Sequence, residues 1–298
     1  MPTELHELPF HTNMVTGVQY GTAPDGTPLL LDYATPRETP GMPAPEKLPV
    51  VMDVHGGGWH LGEREIGRGL VMSLLGFFYI SIDYRLSDVA PFPAQIHDVK
   101  AAIRWVRANA DELHLDPDRI GLRGGSAGGH LITLAACTAD MPELEGDCGS
   151  PGYSTRVHAI AAVNPPTNLT VGPDEWPWLH DEPGPTNWML GGSLAEKADL
   201  AKLASPMTHI HKDAPPHLLL HGTEDDVVDF RQASKYHNAL LDLGVESTLI
   251  AYEGDDHGLY GYSADIWARS IPFFQQHLGQ AANYGDPSKV KVITGKVE

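Results

Sequence analysis

The pentapeptide Gly124-Gly125-Ser126-Ala127-Gly128 constrains the fold more than any other stretch of this 298-residue chain. It stands between residues 119–123, Arg-Ile-Gly-Leu-Arg, which read as a strand, and residues 127–138, which read as an apolar helix. A serine on so sharp a strand-to-helix turn takes strained dihedrals, so its neighbours must be very small. In return its hydroxyl projects above the sheet edge, at a helix N-terminus whose dipole favours developing negative charge. A G-x-S-x-G turn in this context predicts that Ser126 is a nucleophile.

The rest of the chain keeps the same rhythm. Residues 13–20, 28–34, 50–55, 77–82, 119–123, 157–163, 217–221 and 246–252 read as strands. Residues 64–75, 93–110, 127–138, 230–243 and 263–278 read as helices. Within 93–110, Ile96, Val99, Ile103, Val106 and Ala110 recur at steps of three and four. Strands alternating with helices predict a mainly parallel sheet covered on both faces. Residues 36–49 form a proline-rich surface loop. Residues 164–205 break the rhythm with Pro, Trp, Asp and Gly, and predict a cap inserted at about 165–205. The expectation is one domain over 1–280 and a tail, 281–298, that is either disordered or an added strand.

Composition excludes several functions. A formal net charge of −19 repels nucleic acid and anionic membranes. No stretch approaches the ~18 apolar residues of a membrane helix. The N-terminus lacks the basic and apolar regions of a signal peptide, so a cytoplasmic protein is expected, or a secreted one if a leader has been removed. The two cysteines, Cys137 and Cys148, make no disulfide framework and no zinc spacing. Cys137 reads as core packing.

Three further signals complete a catalytic set. His55-Gly56-Gly57-Gly58-Trp59 directly follows a strand, where glycines let backbone N–H groups approach a substrate carbonyl. The amides of Gly57, Gly58 and Ala127 are the candidate oxyanion donors, each worth roughly 3–4 kcal/mol in a transition state. His55 reads as a residue that holds the loop. The base is expected near the C-terminus, after a strand; His257 fits, whereas His221 ends its own strand and His237 lies within a helix. The acid falls on the loop after 217–221, which supplies Glu224, Asp225 and Asp226, with Asp229 close behind. Pattern leaves Asp225 and Asp226 equal.

A co-linear set of motifs from about 50 to 260 gives the chain its resemblance. These are His55-Gly56-Gly57-Gly58-Trp59, Asp83-Tyr84-Arg85-Leu86, Phe92-Pro93-Ala94-Gln95 with Asp98, and Asp116-Pro117-Asp118-Arg119-Ile120-Gly121. They continue through Gly125-Ser126-Ala127-Gly128-Gly129-His130-Leu131, Ser205-Pro206 and Pro215-Pro216 to His221-Gly222-Thr223-Glu224-Asp225 and His257-Gly258. In these the chain resembles the hormone-sensitive-lipase-like esterases, and within them the acetylxylan- and feruloyl-esterase-like branch of the α/β-hydrolase superfamily. The resemblance implies an α/β-hydrolase fold: a mainly parallel eight-stranded sheet, helices on both faces and a small cap. It implies Asp225 as the acid, with Asp226 standing where the family usually has proline. Arg123 also departs from the family, which more often has an aromatic or apolar residue before the elbow. Asp83-Tyr84-Arg85 and Asp98 read as scaffold, a buried ion pair or loop clamp.

The function so implied is a serine carboxylesterase for short acyl esters, working through an acyl-enzyme without metal or organic cofactor. Its partner is a small-molecule ester, and a homodimer is left open. Trp59, Trp176, Trp178 and Trp188 are candidates for an aromatic wall over Ser126, suited to acetyl or feruloyl esters of carbohydrates. An arylformamidase on the same triad is the main alternative. A prolyl-oligopeptidase-type peptidase needs a large extra domain for which the chain has no room. A non-catalytic receptor of this fold typically lacks the histidine.

Overall fold

A computed structural model describes residues 4–7, 12–37 and 46–279. The apolar runs become β1 (Glu4–Glu7), β2 (Thr12–Thr22), β3 (Pro28–Pro36), β4 (Leu48–Val54), β5 (Phe78–Ile82), β6 (Leu115–Gly125), β7 (Ala159–Val163), β8 (His217–Gly222) and β9 (Ser247–Tyr252). They form one sheet in the order β1-β2-β3-β5-β4-β6-β7-β8-β9. The pairings β1/β2, β2/β3 and β3/β5 are antiparallel, and the rest are parallel. The described sheet therefore has nine strands, not the expected eight. The addition is β1, which pairs along the outer edge of β2 from Glu4↔Thr16 to Glu7↔Asn13. Its sequence, Glu-Leu-His-Glu, carries little strand signal; it pairs with the otherwise open edge of β2.

The helices are α1 (Leu70–Leu74), α2 (Ala94–Ala108), α3 (Ala127–Cys137), α4 (Pro142–Glu145), α5 (Pro185–Leu190), α6 (Ala198–Leu203), α7 (Arg231–Asp242) and α8 (Ser263–Leu278). The expected helix over 64–75 shrinks to a 3₁₀ turn, Ile66–Gly69, followed by α1. Gly69 is the reason: a Cβ there would lie 1.9 Å from the Tyr79 ring, so packing demands a residue that disfavours helix. Residues 164–205 contain a 3₁₀ turn (Pro177–His180), α5 and α6, and bury Leu169, Trp176, Leu179, Met189 and Leu190. The tail 281–298 lies outside the described residues. No helix among the described residues is long and apolar enough to cross a membrane.

Strand alternation divides the core. Val50, Met52, Val54 and Leu122 join the cluster that includes residues of α2, α3 and α7 and of the inserted segment, whereas Val51, Ala159 and Leu218 join the one that includes residues of α8. Ion pairs pin the loops between these layers. Arg85 donates to both carboxylate oxygens of the fully buried Asp98, at 2.7 and 2.9 Å. Arg64 bridges Asp32 and Asp83, and the Tyr84 hydroxyl donates to the carbonyl of His55 at 3.1 Å. Both cysteines are buried and free.

Two histidines are locked into this core as neutral rings. His130 and His217 are buried, and burial lowers each to about 4, the partial compensation coming from a backbone carbonyl, Ala204 or Pro215. Both titrate near 6.5 when unfolded, so between pH 6.5 and 4 the unfolded chain binds more protons than the folded one. Stability should hold above about pH 6.5 and decline towards pH 4, by up to about 3 kcal/mol per histidine at 1.36 kcal/mol per pKa unit. Urea midpoints at pH 7.5 and pH 4.5 test this; identical midpoints would contradict it.

Candidate active site

Ser126 caps α3 with φ 53° and ψ −121°, in a region that costs a non-glycine residue about 1–3 kcal/mol. The surrounding glycines are there for space. A Cβ on Gly124 would lie 2.7 Å from the Gly128 backbone, and one on Gly128 would lie 2.0 Å from the Val54 carbonyl oxygen. At Gly125, the variable place in the pattern, the nearest atom is 3.9 Å away. The elbow is held from β7, because the Ser126 N–H donates to the Val163 carbonyl at 2.8 Å.

Two other loops from the same sheet edge converge on this serine. His257, just beyond β9, places Nε2 at 3.0 Å from Ser126 Oγ. Its Nδ1 lies 2.7 Å from Asp225 Oδ2, on the loop after β8. With Asp225 ionised, Nδ1 carries the proton and Nε2 is left to accept from the serine hydroxyl. Asp225 is buried, whereas Glu224 and Asp226 are exposed. Burial pushes the Asp225 carboxyl up, but hydrogen bonds from His221, His257 and the Val228 N–H, with the His257 charge, hold it well below the usual carboxylate range. Its Oδ1 accepts from the N–H groups of Val227 and Val228 at 2.9 and 2.8 Å. His221 is no rival base: its Nε2 lies 3.1 Å from the same Asp225 Oδ2 and 2.8 Å from the Val228 carbonyl. His237 bonds to Ser247.

The glycine loop lies against the elbow. A Cβ on Gly56 would be 2.8 Å from the Gly125 carbonyl oxygen. Gly57, Gly58 and Trp59 all have positive φ, at 115°, 58° and 62°. The Trp59 indole is buried and donates to His130 Nδ1 at 3.0 Å, while His130 Nε2–H donates to the Ala204 carbonyl at 2.6 Å. One neutral histidine thus ties the glycine loop, α3 (which Ala127 opens) and the inserted segment together. His55 stacks on Tyr84 with centroids 4.2 Å apart, as a loop-holding residue should.

A cavity of about 520 Å³ contains Ser126 and His257. Its wall is not the one expected. Trp59 and Trp176 are each 1% exposed and belong to the core. Trp176 donates to the Val227 carbonyl at 2.6 Å, behind the acid loop, and Trp178 stacks on it at 6.0 Å. Trp188 is 43% exposed and meets His60 edge-on at 4.7 Å. None of the four lines this cavity; its tryptophan is Trp267, on α8, beside Asp53, Arg68 and Arg123. Their positions in a 3₁₀ turn and loops turn Trp59, Trp176 and Trp178 towards packing, while α5 leaves Trp188 partly exposed, a matter of backbone direction that composition does not encode.

Against this geometry, the BD-FAE family model matches residues 39–240. The chain belongs to the BD-FAE family. It is also 33% identical over 263 residues to the esterase LipQ of Mycobacterium tuberculosis, a match covering 85% of this chain and 59% of LipQ. The chain spans about half to two thirds of the length of the first curated relatives it matches. Among solved structures, a truncated carbohydrate esterase from gut microbiota superposes with a TM-score of 0.81 at 26% identity, over 93% of this chain and all of that one. A thermophilic esterase of Thermogutta terrifontis gives 0.70 at 26%, over 91% and 94% of the two chains, and is also solved with propionate and with butyrate bound. The fold is that of the α/β-hydrolases, in their hormone-sensitive-lipase-like branch.

This BD-FAE chain has a further constraint on the base that the motifs did not reveal. Asn164, at the end of β7, is 2% exposed and adopts φ 46°. Its Nδ2–H donates to the His257 carbonyl at 2.6 Å, and its Oδ1 accepts from the Gly222 N–H at 3.3 Å. One amide therefore spans the acid-bearing strand and the histidine loop. The visible signal was an Asn-Pro pair closing a strand, which marks a turn but not its partner. Asn164→Ala should lower kcat by about 10- to 100-fold, the cost of an ångström-scale misplacement, with a smaller change in KM. Steady-state kinetics beside a melting curve would check this; an unchanged kcat would remove Asn164 from the site.

Proposed function

We propose that the chain is a serine carboxylesterase that hydrolyses short acyl esters through an acyl-enzyme. The observation that carries this reading is the continuous hydrogen-bond chain from Ser126 Oγ through the His257 ring to Asp225 Oδ2, at 3.0 and 2.7 Å. His257 Nε2 takes the hydroxyl proton as Ser126 Oγ attacks the ester carbonyl. Asp225 holds the imidazole in the required tautomer and stabilises the imidazolium. The amides of Gly57, Gly58 and Ala127 receive the oxyanion. Collapse of the tetrahedral adduct expels the alcohol, which takes its proton from His257. Water then enters, gives a proton to His257 and attacks the acyl-enzyme, and the acid departs with Ser126 regenerated.

Short acyl groups fit a cavity of about 520 Å³ whose wall mixes the charged Asp53, Arg68 and Arg123 with Val54, Val163, Ile266 and Trp267. The propionate and butyrate held by the Thermogutta esterase point the same way. Esters of carbohydrates, acetyl or feruloyl, are the proposed natural class, in keeping with the gut carbohydrate esterase of the same fold. The half-exposed Trp188 ring beside the glycine loop offers a sugar a stacking face. Hydrolysis of 4-nitrophenyl acetate, butyrate, octanoate and laurate tests the reading. Rates should be highest for the first two. Rates equal to the uncatalysed background for all four would overturn it.

A further inference from the structure

Arg123 is the residue that the ester chemistry above does not use. It sits three positions before the nucleophile, opposite Asp53 in the β4/β6 register, so both side chains leave the sheet on the α1/α8 face. Arg123 Nη1–H donates to Asp53 Oδ1 at 2.7 Å, with the two side chains 14% and 6% exposed. The guanidinium lies 4.1 Å from the centroid of the Trp267 ring. Its Nε–H is buried and has no partner among the described residues. All three residues border the cavity that holds Ser126, and Arg68 joins them there. Arg68 is 59% exposed, donates through Nε to Glu65 and lines the cavity.

A buried ion pair is a poor way to stabilise a core, since apolar residues of similar volume serve as well or better. A cavity meant only for a short hydrocarbon chain would also gain from apolar walls. Here two cations and one anion face it, Arg123 paired with Asp53 and Arg68 with Glu65, in a chain of net charge −19. A neutral acyl group would desolvate the charged wall of the cavity and supply nothing in exchange. A carboxylate would supply a counter-charge for Arg68 and Arg123, and a guanidinium fork matches a carboxylate in shape. Trp267 holds the Arg123 plane in place for that encounter.

We propose that this cavity is a carboxylate subsite, and that the preferred substrates are esters carrying a free carboxylate close to the scissile bond. The proposal rests on the carboxylesterase reading. Two pairs of esters, followed by acid release at constant pH, test it and place the carboxylate. Monoethyl succinate against ethyl pentanoate puts the charge on the acyl side; acetoxyacetate against propyl acetate puts it on the alcohol side. The expected result is an anion-to-neutral ratio of kcat/KM of about 10 or more in one pair, the worth of one charge-assisted hydrogen bond. That ratio should fall about tenfold in Arg68→Met and decline with added salt. Arg68 is a surface residue, so this variant folds; Arg123→Met with Asp53→Leu removes the buried pair together and should abolish the preference without leaving a lone charge. Ratios at or below one in both pairs, with the neutral esters still hydrolysed, would overturn the subsite and leave the esterase intact. No turnover of any of the four would remove the esterase reading, and the subsite with it.

Discussion

Ser126→Ala is expected to lower kcat/KM for 4-nitrophenyl butyrate by about 10⁵- to 10⁶-fold, the scale on which removal of a triad serine acts elsewhere. The loss comes from chemistry, not from stability. The serine side chain makes one bond in the site, to His257, and the elbow is held by backbone groups and by the close approach of Gly124 and Gly128. Thermal unfolding of the variant should therefore stay within a few degrees of the parent, as expected for a change below about 1 kcal/mol. A stoichiometric burst of nitrophenolate in the parent, absent from the variant, would mark the acyl-enzyme. Retention of even a tenth of the parent rate would show that the nucleophile is elsewhere.

The second large effect separates two adjacent carboxylates. Asp225→Asn should cost about 10⁴-fold in kcat, because an amide opposite Nδ1 favours the wrong tautomer and offers the imidazolium no charge. Asp226→Asn should cost less than about twofold, since an exposed carboxylate in water interacts weakly with its surroundings. The contrast matters because the pattern around 224–226 left the two equal, and only a family resemblance chose between them. The geometry now supplies the physical ground. Asp225 is turned inward, where two backbone N–H groups, His221 and His257 compensate its burial. If both substitutions acted alike, His257 would have to be oriented by the loop rather than by one carboxylate.

What could be read in advance followed from residues whose role is local. The elbow was legible because Gly-x-Ser-x-Gly between a strand and a helix answers a steric problem that exists within five residues. The parallel sheet was legible because each crossover carries its own hydrophobic periodicity. His257 was legible from its place after the final strand. By contrast, β1 carries almost no strand signal and exists because β2 has an open edge. The helix over 64–75 was shortened where Gly69 makes room for the Tyr79 ring, which comes from the next strand, β5.

The tryptophans and Asn164 show the same division within the site. Aromatic rings clustered in 165–190 could face a substrate or a core, and the periodicity of a proline-rich insertion is too irregular to say which. The tertiary structure sent Trp176 behind the acid loop and brought Trp267 from α8 to the cavity. Asn164 bonds to a carbonyl 93 positions away. The sequence by itself determined the fold class and singled out Ser126 and His257 as the candidate nucleophile and base, because each is marked by sterics or periodicity over a few neighbouring residues. Only the tertiary structure decided which carboxylate is buried, which rings line the cavity and that Arg68 and Arg123 line it with Ser126, because burial and long-range contact arise when strands from distant parts of the chain share one edge.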